Sequence, residues 1–245
     1  MLDALKRWIA GDAQGADWRA MTAWAVQRGA QFKRSRDGAG FVVEGRFDAR
    51  PWRLEWGPPQ RSYIAGRELR LRMELGLPQD LNMLVLSRPL MEVLERSAFE
   101  QYTAQMQTRI DDTTPEEMRW LAMFSKLPLV FEKELRQHFG AVALSAKAAD
   151  VWLRGPLAEK LTAASRGVLA GDPPFVLMTL RGRLYLRLQL TKPDAQAIDA
   201  MAALFETAAT QAVLAAGGVS ERPETGPSTA TTAWQTQFSS QDIER

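Results

Sequence analysis

The chain contains no cysteine and only one histidine, His138. The first absence excludes disulfide frameworks, thiolate nucleophiles, iron–sulfur clusters and thiolate zinc sites together. The second leaves almost nothing from which to build an imidazole-based site. No glycine is followed by lysine, so the loop Gly-x-x-x-x-Gly-Lys-Ser/Thr that cradles phosphates is missing. No Gly-x-Ser-x-Gly elbow presents a serine. Gly38-Ala-Gly40 does not extend to a dinucleotide fingerprint, because Val43 stands where the third glycine belongs. Long uncharged apolar runs are lacking too. A membrane span needs roughly 18 such residues, and the most apolar stretch, Ala195 to Ala216, carries Asp199 and Glu206. Near the N-terminus, Asp3, Lys6 and Arg7 interrupt what a signal peptide would keep apolar. A cytoplasmic protein of bacterial type is expected, without cofactor, metal or catalytic residue assigned. Chemistry that needs only carboxylates, such as glycoside hydrolysis, leaves no local signature and is neither supported nor excluded.

What is present is ordinary for a globular chain. Its 245 residues are 46% hydrophobic and 24% charged, enough to bury a core without covalent or metal staples. The 31 basic and 29 acidic residues leave a net charge of +2. A pI of 9.0 therefore rests on a near balance and argues only weakly for a nucleic-acid partner. The basic set is lopsided, with 24 Arg to 7 Lys. Codon bias accounts for this, although arginine also brings bidentate hydrogen bonding that lysine lacks.

Periodicity divides the chain. Residues 1–31 carry two short helical patterns, broken at Gly11 and Gly15 and closed by Gly29. From Phe32 the period becomes two. Phe41, Val43 and Phe47, then Trp52, Leu54 and Trp56, then Leu69, Leu71, Met73 and Leu75 alternate with charged residues. Such alternation means strands with one buried and one wet face. With the apolar run Met83 to Leu86 as a fourth strand, the expectation is an antiparallel meander over about 40–87 with helices packed on one face. A helix follows from Pro89 to about Gln107. Asp111-Asp112-Thr113-Thr114-Pro115-Glu116-Glu117 looks like a cation loop but lacks its spacing. A helix start fits better: Thr114 capping, Pro115 in the first turn, Glu117 closing a capping box. A second helix-and-hairpin region over about 115–217 has its hairpin in Phe175–Leu190, turning at Arg181-Gly182. A last helix starts at Pro193-Asp194 and stops at Gly217-Gly218. Residues 219–245, rich in Ser, Thr, Pro, Gly, Glu and Gln, have the composition of a disordered tail. The predicted class is α+β, divided into a helical cap (1–31), a sheet-plus-helix unit (32–108), a second α+β unit (109–218) and the tail (219–245). The segment Leu69–Leu75 echoes Leu184–Leu190 at a separation of 115 residues, as a duplicated unit would. The flanks do not align, since a strand follows the first copy's proline and a helix the second's.

Two features suggest contact surfaces. Between Arg28 and Arg72 stand eleven basic and five acidic residues. Arg46, Arg53, Arg70 and Arg72 share the wet face of the predicted sheet, a candidate anion or nucleic-acid face. Trp52 and Trp56 fall on the opposite register and cannot stack on bases from that side. Glu44, Glu55 and Glu74 share the arginine face and are expected to form cross-strand ion pairs with it. In the tail, Trp234 and Phe238 lie four apart and can anchor in a partner's groove. His138 is expected to be a partly exposed helix or loop residue. The functional expectation is a non-catalytic interaction or accessory protein, using the tail aromatics and the Arg-rich face on a protein partner. The alternative is nucleic-acid binding through residues 28–72.

Overall fold

The alternating segments do form strands. In a computed structural model, which describes residues 17–36, 40–104, 114–128 and 133–220, helix α1 (Trp18–Gln27) leads into β1 (Gln31–Arg34), β2 (Phe41–Phe47), β3 (Arg50–Gly57) and β4 (Glu68–Glu74). The Asp17 carboxylate caps α1, accepting from the backbone N–H groups of Arg19 and Ala20 at 3.0 Å. The four strands make an antiparallel meander, with Val43 opposite Leu54 and Leu54 opposite Leu71. Asp48 and Ala49, at φ 47° and 62°, supply the two left-handed residues of a tight β2–β3 turn.

Met83–Ser87 forms β5, but it does not extend the meander. It lies between β6 (Phe139–Ala143) and β7 (Phe175–Leu180), and the place beside β4 is taken by β8 (Arg183–Gln189). The physical reason is in the residues: Met-Leu-Val-Leu is apolar on both registers, so the strand belongs where both faces are covered, and all five of its residues are buried. The sheet is one antiparallel array of eight strands in the order β1-β2-β3-β4-β8-β7-β5-β6. Arg181 and Gly182, at φ 50° and 79°, turn β7 into β8 as the sequence implies. The echoing segments are the central neighbours β4 and β8, and Leu71 faces Leu186 across them. Spatially the halves mirror one another, four strands on either side of that seam. Their connectivity differs, because the outermost strand comes first in one half and second in the other.

Both faces of the sheet carry helices, unequally. On one face α1, α4 (Lys133–His138), α5 (Ala146–Leu153), α6 (Pro156–Ser165) and α7 (Ala195–Ser220) enclose the larger core. It runs from Phe41, Trp52 and Trp56 through Leu71 and Leu186 to Phe139, Phe175 and Phe205. On the other, α2 (Arg88–Ala104) and α3 (Glu116–Met123) bury Leu84, Leu86, Val142, Val176 and Met178. That second layer covers β5, β6 and β7 and reaches Tyr185 on β8. The class is thus α+β, with seven helices among the described residues and helices on one face of the meander.

Helix α7 is long and apolar enough to cross a membrane by length and composition. Here Ile198, Met201, Leu204 and Phe205 are buried in the larger core. Its two acids tie it to α1: Asp199 accepts from the Trp24 indole at 2.9 Å, and Glu206 from Arg28 at 2.7 Å. It runs through Gly217 and Gly218 rather than stopping there.

Candidate functional site

Pairing register and the two-residue strand period place one set of side chains on the open half-face. These are Lys33 on β1, Glu44 and Arg46 on β2, Arg53 and Glu55 on β3, Glu68, Arg70, Arg72 and Glu74 on β4, and Arg183 and Arg187 on β8. Neighbouring strands join most of them into one chain of alternating charge. Lys33 reaches Glu44 at 2.8 Å, and Glu44 meets its cross-strand partner Arg53 at 2.5 Å. Arg53 also holds Glu55, which lies opposite Arg70 and accepts from it at 3.1 Å. Arg70 continues to Glu68 at 3.2 Å, and Glu68 to Arg187 at 2.5 Å. Separately, Glu74 accepts from Arg183, its direct partner, at 2.5 Å. The cross-strand ion pairs expected with the meander arginines are present for Glu44 and Glu55, whereas Glu74 pairs with Arg183 of β8 instead.

These contacts shift the acids. The Lys33 and Arg53 hydrogen bonds pull Glu44 below the ordinary carboxylate range. Partial burial pushes Glu55 upward, but Arg53 and Arg70 together outweigh it and leave that carboxyl lowered as well.

Two arginines join neither the chain nor the separate Glu74–Arg183 pair. Arg46 and Arg72 are exposed, and neither makes an ion pair among the described residues. Of the four candidate anion-face arginines, the structure therefore separates Arg53 and Arg70, each neutralised by two glutamates, from Arg46 and Arg72. The latter two lie on β2 and β4, either side of β3, with Arg72 directly opposite Arg53. Both line a depression of about 550 Å³, whose wall also includes Glu44, Arg53, Glu74 and Arg183. Trp52 and Trp56 are buried on the opposite register at 5% and 1% exposure, although Trp52 also contributes to the wall of the depression, and the half-buried Tyr185 lies opposite Arg72 on this side.

A second cluster sits where the open face meets α3, and sequence reasoning missed it. Glu117 is fully buried, accepting from the Arg61 guanidinium at 2.7 Å and from the Tyr63 hydroxyl. Burial alone would raise its pKa; the adjacent Arg61 charge more than reverses that and holds it low. The same burial, with the Glu117 charge beside it, pushes the Tyr63 hydroxyl far up. Helix α3 has Pro115 at its cap position with no side-chain cap. The capping-box role expected of Glu117 is thus replaced by a charge-assisted pair, the stronger interaction. A signal existed: Glu117 stands three and four residues before the buried Trp120 and Leu121, on the apolar stripe of the helix. Glu68 is also fully buried, under the turn whose Gln60 N–H donates to it at 2.6 Å. Each buried acid is matched by guanidinium groups, and Glu117, held low by Arg61, is a poor proton donor.

His138 ends α4, with Nδ1 2.7 Å from the Asp172 carboxylate. It is partly exposed and ties the helix to the loop before β7. Among the described residues no group of three His, Asp or Glu side chains is placed to hold a metal ion. Trp234, Phe238 and the acidic pair Asp111-Asp112 lie outside the described residues.

No protein-family model matches this sequence, and no curated protein matches it. Among solved structures, the crystal structure of the mycobacterial trehalose monomycolate transport factor A, TtfA, aligns over 78% of this chain and 91% of that one. Identity is 9% and the TM-score 0.38, a likeness too distant to carry an argument about function.

Proposed function

We propose that this protein is a non-catalytic interaction protein, an accessory component that engages a protein partner through the open half of its sheet. One observation carries the reading. A single continuous sheet has helices over one half of its second face and none over the other, and that other half carries seven basic and four acidic side chains, all but Glu68 reached by solvent. A face left wet in this way is built for solvent or for another macromolecule. The alternating ion chain fixes most of its side chains in place, which lowers the entropy lost when a partner lands.

Five strands at about 4.8 Å spacing make a face roughly 20 Å wide and 20 Å long. That is well short of the ~800 Å² each partner buries in a standard interface, so a second contact is needed. Trp234 and Phe238, two large apolar residues in a polar segment, supply it as anchors.

The experiment is affinity capture from a lysate with the full chain as bait. It is run beside the double variant Arg46→Glu/Arg72→Glu, a chain lacking residues 221–245, and Lys160→Glu on the opposite side of the molecule. A partner retained by Lys160→Glu and lost by the double variant is the expected result. Equal capture by bait and double variant overturns the sheet-face reading, and equal capture by the truncated chain removes the tail from it.

A further inference from the structure

We infer that the depression around Arg46 and Arg72 is a binding site for an acidic peptide segment, an extended stretch of protein carrying two carboxylates. The inference rests on the interaction reading above and names its occupant. Positive charge is left over on this face. Every glutamate of the open face is already paired, and every cation but two is paired with them. Arg46 and Arg72 remain, both exposed and both lining the same 550 Å³ hollow. Guanidinium groups are planar forks that take carboxylates bidentately. Two strands apart and two residues out of line, since Arg46 faces Pro51 and Arg72 faces Arg53, they are about 12 Å from one another across the sheet. Carboxylates two to four residues apart on an extended segment span roughly 7 to 14 Å, so one short peptide reaches both.

The surroundings favour a peptide over a nucleic acid. A phosphodiester backbone is anionic at every step and would lie against Glu44 and Glu74, whose side chains are 38% and 59% exposed at the rim. A peptide places its acids selectively and offers backbone N–H donors to those same glutamates. Single-stranded nucleic acids also need exposed rings on which bases stack, and the rings at hand are covered: Trp52, in the wall of the hollow, is 5% exposed, and Tyr185, opposite Arg72, is half-buried.

The test uses the full chain and three labelled probes: an octapeptide of alternating Glu and Ser, the same peptide with Gln for Glu, and a 20-nucleotide oligothymidylate. Fluorescence anisotropy at 50 mM and 200 mM salt should show the Glu peptide binding, the Gln peptide at least tenfold weaker, and the oligothymidylate no tighter than the Gln peptide. The double variant Arg46→Gln/Arg72→Gln, which removes no ion pair, should cost the Glu peptide tenfold or more. As a check that needs no variant, the Arg46 and Arg72 Nε–H resonances of the unaltered protein should shift with the Glu peptide and not with the Gln peptide. The inference is overturned if the Glu and Gln peptides bind alike, if the two arginine resonances stay still, or if the oligothymidylate binds more tightly through the same arginines. Should the Glu peptide fail while Arg46→Glu/Arg72→Glu still abolishes partner capture, the occupant named here is wrong and the interaction face stands.

Discussion

At the scale of single residues, Glu117 is the group on which most depends. Removing one member of a buried ion pair leaves the other charge uncompensated, which costs about 3–5 kcal/mol. Arg61 keeps partial access to water, so Glu117→Gln is expected near the low end of that range by urea denaturation. Tyr63→Phe removes one hydrogen bond to a charged group and should cost about 1.5–3 kcal/mol. If Glu117→Gln and the natural protein unfold at the same urea concentration, the pair contributes nothing. Gly40 is a different kind of constraint. A Cβ there would sit 2.1 Å from the Trp56 carbonyl oxygen, an atom fixed in the β2–β3 pairing. Gly40→Ala should lower stability by about 1–3 kcal/mol, as overpacking does. The sequence shows a glycine before Phe41 but not the carbonyl that requires it, because that carbonyl arrives from another strand.

At the scale of elements, the charged ladder across β1, β2, β3, β4 and β8 should respond to acid. Glu44, Glu55 and Glu117 all have carboxyls lowered in the folded protein. Groups of that kind stabilise the fold fully above their unfolded value, about 4.3 for glutamate. The stabilisation is lost as pH falls through the lower folded value. The melting temperature should therefore hold steady from pH 7 to about 5 with respect to these three groups, and drop below about pH 4.5. Glu55→Gln should make that drop shallower; an unchanged acid slope in thermal melts would show that the Arg53 and Arg70 contacts do not persist in solution. Most of this ladder was legible beforehand. Period-two alternation put Glu44, Arg53, Glu55, Arg70, Arg72 and Glu74 on one side, and sidedness is a property of the local backbone. What separates Arg72 from Arg53 was not legible, since it depends on which glutamate lies across the neighbouring strand. Arg61, Tyr63 and Glu117 come together from positions more than fifty residues apart, with no local pattern to announce the meeting. The β2–β3 turn was hidden for a third reason, as Asp48-Ala49 adopts left-handed backbone without a glycine.

At the scale of the whole molecule, the sheet does not respect the order of the chain. Strand β5 and helix α2 lie within residues 32–108, yet the pairing partners of β5 are β6 and β7, both later in sequence. The open side of β4 is likewise filled by β8 along seven residue pairs. A fragment ending at residue 108 therefore has an apolar strand with no neighbour and an unsatisfied edge on β4. Expressed alone, residues 32–108 should give poorly dispersed amide resonances in a nitrogen–proton correlation spectrum. A well-dispersed spectrum would show that the meander folds without its later half. The sequence correctly marked Met83 to Leu86 as a strand, and the run was apolar on both registers. Its location was beyond reach because neighbours in an antiparallel array need not be neighbours in the chain.

The delayed pairing of β5 matters most while the protein is being made. Val85 must wait for Leu177, 92 residues further along, and at synthesis rates of about 5–20 residues per second that is roughly five to twenty seconds. Strand β6 arrives sooner, since Ala141, which faces Val85 on the other side, is 56 residues along; until then the nascent chain trails an apolar segment with no strand beside it, and until Leu177 one edge of it stays open. The ladder half, whose four strands follow one another directly, can begin to assemble during the wait. Whatever slows translation between residues 88 and 174 lengthens the exposure, and yield in the cell should then depend on chaperone supply more than on the stability of the finished fold.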